Sequence, residues 1–278
     1  MFEKKNKKRF EFSLSLGLVV ALAAIIWVAY LSGIFITFQS NLTLNEKIAE
    51  AKEAERPADI SIVILQESSC QDCSNLTPLL DAIKKENVKI NSEKTVEITS
   101  PEGMELINKY SITKVPALVI SGEIEKEANL KAMWPQLGEV KEDTFILRQV
   151  GAPYVLIDSG DVIGRIKWVM LTDTSCTECY DVANHEIILK QFGVPTQDQQ
   201  VINSQLSDGK ELIAKYKIKL VPTIILTGDV GAYPSLINVW SQVGTIEEDG
   251  AYIFREGVKQ MGIYKDLTTN EIIKPTTN

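Results

Sequence analysis

The sequence predicts an α/β protein in which two tandem βαβαββα units, each with a mixed sheet, follow one N-terminal transmembrane helix. Three observations predict it. A long uncharged apolar run lies near the N-terminus. Two CxxC motifs, Cys70/Cys73 and Cys176/Cys179, each follow a β-branched strand pattern and precede a helical one. A gapless offset of 106 positions also relates the two halves. It links both cysteines of each motif, Tyr110 to Tyr216, Ile112 to Ile218, and Val115-Pro116 to Val221-Pro222. It goes on to link Gly122 to Gly228, Trp134 to Trp240, Gly138 to Gly244, and Asp143 to Asp249.

The first element is the apolar run. No charged residue occurs from Phe12 to Asn45, and the 25 residues Leu14–Phe38 are almost wholly apolar. At the α-helical rise they span about 37 Å, enough to cross roughly 30 Å of hydrocarbon. Lys4, Lys5, Lys7, Lys8 and Arg9 precede the run, so the positive-inside rule leaves the N-terminus in the cytoplasm. The run is too long for a signal peptide and lacks a small-residue cleavage site, so an uncleaved signal-anchor is expected. Leu44–Arg56 reads as a charged helical stalk closed by Pro57. The expected organisation is a basic tail at 1–12, the membrane helix at 13–38 and the stalk at 39–57. The two units follow at 58–150 and 164–278, joined by a linker hairpin at 151–163.

Within the units, strands are expected at Ile60–Gln66 and Ile166–Leu171, and helices over Cys73–Glu86 and Cys179–Phe192. Short strands at Thr95–Ile98 and Gln200–Asn203 precede helices at Pro101–Tyr110 and Asp208–Tyr216. Strands beginning at Pro116 and Pro222 follow, then strands before Gly138 and Gly244. Final helices are expected to start near Glu142-Asp143 and Glu248-Asp249.

All four cysteines lie in the two motifs, which excludes a disulfide-stapled scaffold with scattered cross-links. The net charge is −8, although residues 1–12 carry five bases against two acids, leaving −11 on the remainder. So acidic a body argues against nucleic acid as a partner.

The surrounding residues narrow the meaning of the CxxC pairs. A Val-Pro pair beginning a strand follows each, with proline 46 residues after the first cysteine, inside YSITKVPA and YKIKLVPT. QVGTIEED closes the second copy, and Pro78 follows the first motif where Asn184 follows the second. These segments resemble the thioredoxin-like superfamily over residues 58–150 and 164–262. Two units in one chain resemble the archaeal tandem protein disulfide oxidoreductases and, more loosely, protein disulfide isomerase. The sequence departs from thioredoxin in having Ser69 and Ser175 before the first cysteines. Ile64 and Met170 also replace its buried strand aspartate.

Thiol–disulfide exchange needs an attacking thiolate and a second thiol that resolves the mixed disulfide. A helix N-terminus lowers a cysteine pKa, so exposed Cys70 and Cys176 are expected to attack, and inward Cys73 and Cys179 to resolve. Asp72 and Glu178 set negative charge beside the sulfurs, which opposes the thiolate and points away from a strong oxidant. The resemblance implies that Pro116 and Pro222 are cis, lie against the sulfurs and, with Val115 and Val221, offer a backbone edge to substrate. No cofactor and no metal is expected, since a zinc site shared by the two pairs would need the copies to pack face to face. His185, the one histidine, is expected to be a surface or partly buried helix residue, and Trp134 and Trp240 core or hairpin residues.

The expected function is a membrane-anchored extracytoplasmic thiol–disulfide oxidoreductase acting on exported proteins that carry thiols or disulfides. A further redox partner would recharge it. The alternative is a redox-silent binding or chaperone module on the same fold.

Overall fold

The computed structural model describes residues 3–196 and 198–275, with side chains from Leu22 onward except at positions 38 and 40–43. The chain divides after Pro57 into two compact units. The first is one helix, α1 (Glu3–Glu55). The membrane helix and stalk expected as separate elements are therefore continuous. The helix stops just before Pro57, since proline lacks an N–H and disfavours helical backbone in the residue before it. The expected span 13–38 begins in side chains outside the described residues. Among the described residues no helix is long and apolar enough to cross a membrane.

The second unit holds both repeats. The first repeat runs β1 (Ala58–Gln66), α2 (Thr77–Lys84), β2 (Val88–Glu97), α3 (Pro101–Tyr110), β3 (Lys114–Val115) and β4 (Ala117–Gly122). It continues with α4 (Ala128–Leu137), β5 (Gly138–Lys141), β6 (Thr144–Leu147), β7 (Tyr154–Leu156) and β8 (Val162–Ile163). The second repeat runs β9 (Ile166–Thr172), α5 (Asn184–Gln191), β10 (Gln199–Asn203), α6 (Ser207–Tyr216), β11 (Leu220–Val221) and β12 (Thr223–Gly228). After a 3-10 turn come α7 (Pro234–Val243), β13 (Gly244–Ile246), β14 (Tyr252–Phe254), α8 (Val258–Met261), β15 (Tyr264–Asp266) and β16 (Glu271–Ile273).

Each repeat builds a five-stranded mixed sheet, β2-β1-β4-β6-β5 and β10-β9-β12-β14-β13. β1 pairs parallel with β2 and antiparallel with β4, as β9 does with β10 and β12. Three-stranded sheets β3-β7-β8 and β11-β15-β16 complete the repeats. The expected linker hairpin at 151–163 is thus part of the first repeat.

The helical elements differ from the sequence expectation in three places. α2 and α5 begin at Thr77 and Asn184, not at Cys73 and Cys179. Asn75 Oδ1 accepts the Thr77 N–H at 2.8 Å and Asp181 Oδ1 the Ala183 N–H at 2.9 Å, so a side-chain-closed turn separates each motif from its helix. Pro78 stands in the first turn of α2, where its missing N–H costs nothing, rather than kinking a longer helix. The strands expected before Gly138 and Gly244 are the helices α4 and α7. Leu130, Met133, Trp134 and Leu137 follow helical spacing, and the Glu127 carboxylate accepts the Leu130 N–H at 2.8 Å. Finally, Glu142-Asp143 and Glu248-Asp249 start no helix; they turn the hairpins β5–β6 and β13–β14.

The central strands β4 and β12 carry apolar residues on both faces over most of their length because both faces are covered. In β4, Leu118 and Ile120 pack with Ile60, Ile62, Ile83 and Trp134 on one face. Ala117 and Val119 pack with Leu65, Tyr110, Val115 and Val155 on the other. β12 repeats the division, with Ile224 and Leu226 against Trp168 and Trp240, and Ile225 against Tyr216, Val221 and Ile253. The duplicated glycines Gly138 and Gly244 are sterically required. A Cβ there would sit 2.0 Å from the Ile146 carbonyl oxygen or 2.2 Å from that of Ile253.

Candidate functional site

Both CxxC motifs lie in the loop after the repeat's first strand. Cys70–Cys73 and Cys176–Cys179 are closed disulfides with Cα atoms 5.4 Å apart. The loops share their backbone bonds: Cys70 N–H donates to Glu67 O and Cys176 N–H to Asp173 O, each at 3.0 Å. Cys70 and Cys176 are 8% and 7% exposed, while Cys73 and Cys179 are half-buried. This reverses the expected exposure of the pair. With the helix starting several residues later, the first cysteine folds beneath the turn instead of standing on an open helix end.

The Val115-Pro116 and Val221-Pro222 bonds are cis, as is Ala152-Pro153, which the sequence pattern does not single out. In the first repeat Cys70, Cys73 and Pro116 line one groove of about 560 Å³ with Gln66, Ser68 and Thr95. Val115 and Cys70 share a buried cluster. In the second, Cys179 Sγ lies 4.0 Å from the Val221 carbonyl oxygen, and the Tyr180 hydroxyl donates to the Pro222 carbonyl at 2.7 Å. Tyr180 stands where the first repeat has Ser74. Both backbones are held from beyond the motif: Ser74 N–H donates to Pro153 O at 2.7 Å, and Tyr180 N–H to Ile263 O at 2.8 Å.

The two inner carboxylates each meet a cation. Asp72 takes a bidentate pair from Arg165, Nε to Oδ2 and one terminal nitrogen to Oδ1, both at 2.9 Å. That guanidinium holds the Asp72 carboxyl below the ordinary carboxylate range. Asp72 Oδ1 lies 3.6 Å from Cys70 Sγ. Glu178 pairs with Lys274 at 2.5 Å. Neither acid therefore stands beside its sulfurs as a bare negative charge.

The second site contains a buried network that sequence reasoning missed. Lys265, 8% exposed, donates to Asp173 Oδ2 at 3.0 Å and to Ser175 Oγ at 2.9 Å. Asp173, 5% exposed, also accepts from the Ser175 hydroxyl at 2.6 Å, the Ser175 N–H at 2.8 Å and Gln205 at 2.9 Å. Burial pushes the Asp173 carboxyl up, but the Ser175 and Lys265 donors outweigh it and bring its pKa to about 2. Lys265 pairs with Val221 across β15–β11, just as Val155 pairs with Val115 across β7–β3. The corresponding place in the first repeat is therefore apolar.

His185 is 2% exposed, not a surface residue. Its Nε2 lies 3.1 Å from the Tyr180 hydroxyl and its ring edge-on to Phe254, with centroids 4.6 Å apart. Burial lowers its pKa to about 4. Among the described residues no group of three or more His, Cys, Asp and Glu side chains is placed to hold a metal ion.

Residues 35–142 match the family described as Thioredoxin, a match covering under half of the chain and reaching from α1 into the β5–β6 turn. No curated protein matches significantly. Among solved structures, the alkylhydroperoxide reductase AhpF of Enterococcus faecalis is 15% identical, with 63% of this chain and 85% of that one covered, at a TM-score of 0.20. Human ERp44 is 11% identical, with 76% and 94% covered, at a TM-score of 0.18. Scores this low carry no argument. The family match and the two mixed sheets fit thioredoxin-like domains.

Proposed function

We propose that the protein is a thiol–disulfide oxidoreductase with two redox-active CxxC sites. The observation that carries this reading is the duplicated constellation: in both repeats a CxxC disulfide closes the loop after the first strand, beside a Val-Pro turn. In the reducing direction the Cys70 thiolate attacks a substrate disulfide, forming a mixed disulfide and releasing one substrate thiolate. Cys73 then attacks the Cys70 sulfur, releasing the second substrate thiolate and closing Cys70–Cys73. Cys176 and Cys179 act alike, and the reverse sequence oxidises a dithiol. The Val221 carbonyl oxygen beside Cys179 Sγ opposes a negative charge there and favours a protonated Cys179, which leaves Cys176 to attack.

Insulin reduction and refolding of a scrambled disulfide protein test the reading. Activity is expected in the intact chain and lost in the double variant Cys70→Ser/Cys176→Ser. Peptide binding that survives without any insulin reduction would instead favour the redox-silent binding module.

In this proposal the apolar N-terminal helix holds the repeats at the outer face of a cell membrane, with the basic tail in the cytoplasm. Exported proteins carrying thiols or disulfides are then the substrates, and a separate redox partner recharges the sites. Membrane fractionation checks this: a shortened soluble species would sink the anchor.

A further inference from the structure

We propose that Arg165, a residue of the second repeat, is a positioning residue of the first redox site, holding Asp72 as an ion pair so that Cys70 can carry a thiolate. The inference rests on the oxidoreductase reading and names a residue outside both CxxC motifs and their proline turns.

The repeat itself isolates what Arg165 does. At the 106 offset its counterpart is Asp59. The backbone task of that position is duplicated: Glu123 N–H donates to Asp59 O, and Asp229 N–H to Arg165 O, both at 2.9 Å. The side-chain task is not. Asp59 pairs within its own repeat with Lys89 at 3.1 Å, whereas Arg165 reaches across to the other repeat's CxxC loop. Glu178, the counterpart of Asp72, takes its cation from Lys274 of its own repeat. The Arg165–Asp72 pair is thus no part of the duplicated fold.

The guanidinium is presented from a fixed base. Gly164 N–H donates to Asp229 Oδ2 at 3.0 Å and the Tyr233 hydroxyl to Gly164 O at 2.5 Å. Asp72 Oδ1 lies 3.6 Å from Cys70 Sγ. Once the disulfide is reduced, an unpaired Asp72 carboxylate would repel a thiolate at Cys70, and the bidentate guanidinium cancels that charge. Cys73, a thiol once the disulfide is reduced, Glu67, whose carboxylate accepts the Ser69 N–H, and Tyr110, in the buried cluster with Cys70, are further titratable groups around the sulfur. Asp229 and Tyr233 lie on the Arg165 side. A groove of about 550 Å³ lined by Ser69, Gln71, Asp72, Arg165 and Lys167 opens the pair to water, so the effect is that of a solvent-screened pair.

The test reduces the full-length chain with dithiothreitol and alkylates it with iodoacetamide across pH 5–10. Mass spectrometry then follows the Cys70 and Cys176 peptides separately. Arg165→Gln is expected to slow Cys70 alkylation below its pKa about three- to fivefold, moving its profile up by about 0.5–0.7 pH unit. Cys176 should not move, and Arg165→Lys should restore part of the loss. In an Asp72→Asn background nothing ties the exposed guanidinium beside Cys70, so Arg165→Gln should shift the profile by less than half as much. An unmoved Cys70 profile, or the same loss without Asp72, overturns the proposal. Failure of the wild-type chain to cycle with glutathione would overturn the oxidoreductase reading alone, because alkylation rates decide the role of Arg165 independently.

Discussion

Replacing Lys265 by methionine removes one charge from the buried network at the second site and leaves Asp173 with hydroxyl, amide and backbone donors only. The depression of the Asp173 carboxyl, from 3.8 to about 2, corresponds to about 2 kcal/mol favouring its ionised form. That figure is net of burial, so the donors together supply more. Breaking a buried pair by removing one partner typically costs about 3–5 kcal/mol. We expect Lys265→Met to fall in that range at pH 7, read from urea unfolding of the full chain followed by tryptophan fluorescence. The double variant Asp173→Asn/Lys265→Met should recover most of the loss, since no unpaired charge is left behind. The sign of the pH dependence is fixed. A carboxyl depressed in the folded state contributes stability above its unfolded pKa, and that contribution disappears as the pH falls through about 2. The wild-type chain should therefore lose this stabilisation between about pH 4 and 2. A Lys265→Met cost under about 1 kcal/mol, or single costs that add in the double variant, would mean that Lys265 and Asp173 are not a coupled buried pair.

Two further outcomes follow from other parts of the structure. Burial lowers the His185 pKa from 6.5 to about 4, so its neutral form stabilises the fold above pH 6.5 and acid removes that stability down to about pH 4. The loss should approach about 3 kcal/mol, and His185→Phe should flatten the stability profile in that window, measured by unfolding at a series of pH values. Gly138→Ala and Gly244→Ala force a Cβ against carbonyl oxygens and should each cost about 3 kcal/mol. Gly231→Ala, with nothing within 4 Å, is the neutral control in the same thermal melts.

The duplication, both motifs and the strand skeleton were legible because the 106 offset runs without a gap from Cys70/Cys176 to Asp143/Asp249. Past that point the copies slip: Arg148 corresponds to Arg255 and Tyr154 to Tyr264, at offsets of 107 and 110. Arg148 and Arg255 both reach back to the end of a helix, at the carbonyls of Tyr110 and Tyr216, and to Glu139 and Glu247. A gapless comparison cannot find them. The same slip hid Lys265, because Tyr154–Leu156 reads as linker and a lysine beside an aspartate reads as surface. α4 was missed for a local reason: Pro135 inside it and Gly138 at its end look like strand punctuation, although the apolar spacing is helical. The late start of α2 and α5 had a signal, Asn75 and Asp181 at the same offset, each able to close a turn ahead of its helix.

Position 165 also bears on whether the halves are interchangeable. A chain carrying two copies of the first repeat would keep every backbone bond described at this position, yet it would set an aspartate opposite Asp72 where Arg165 now stands. Like charges would then meet at the seam beside the first cysteine pair. The second copy has ceased to be a spare part. It has become half of the first copy's surroundings, and the two can be exchanged only if residues 72 and 165 travel together.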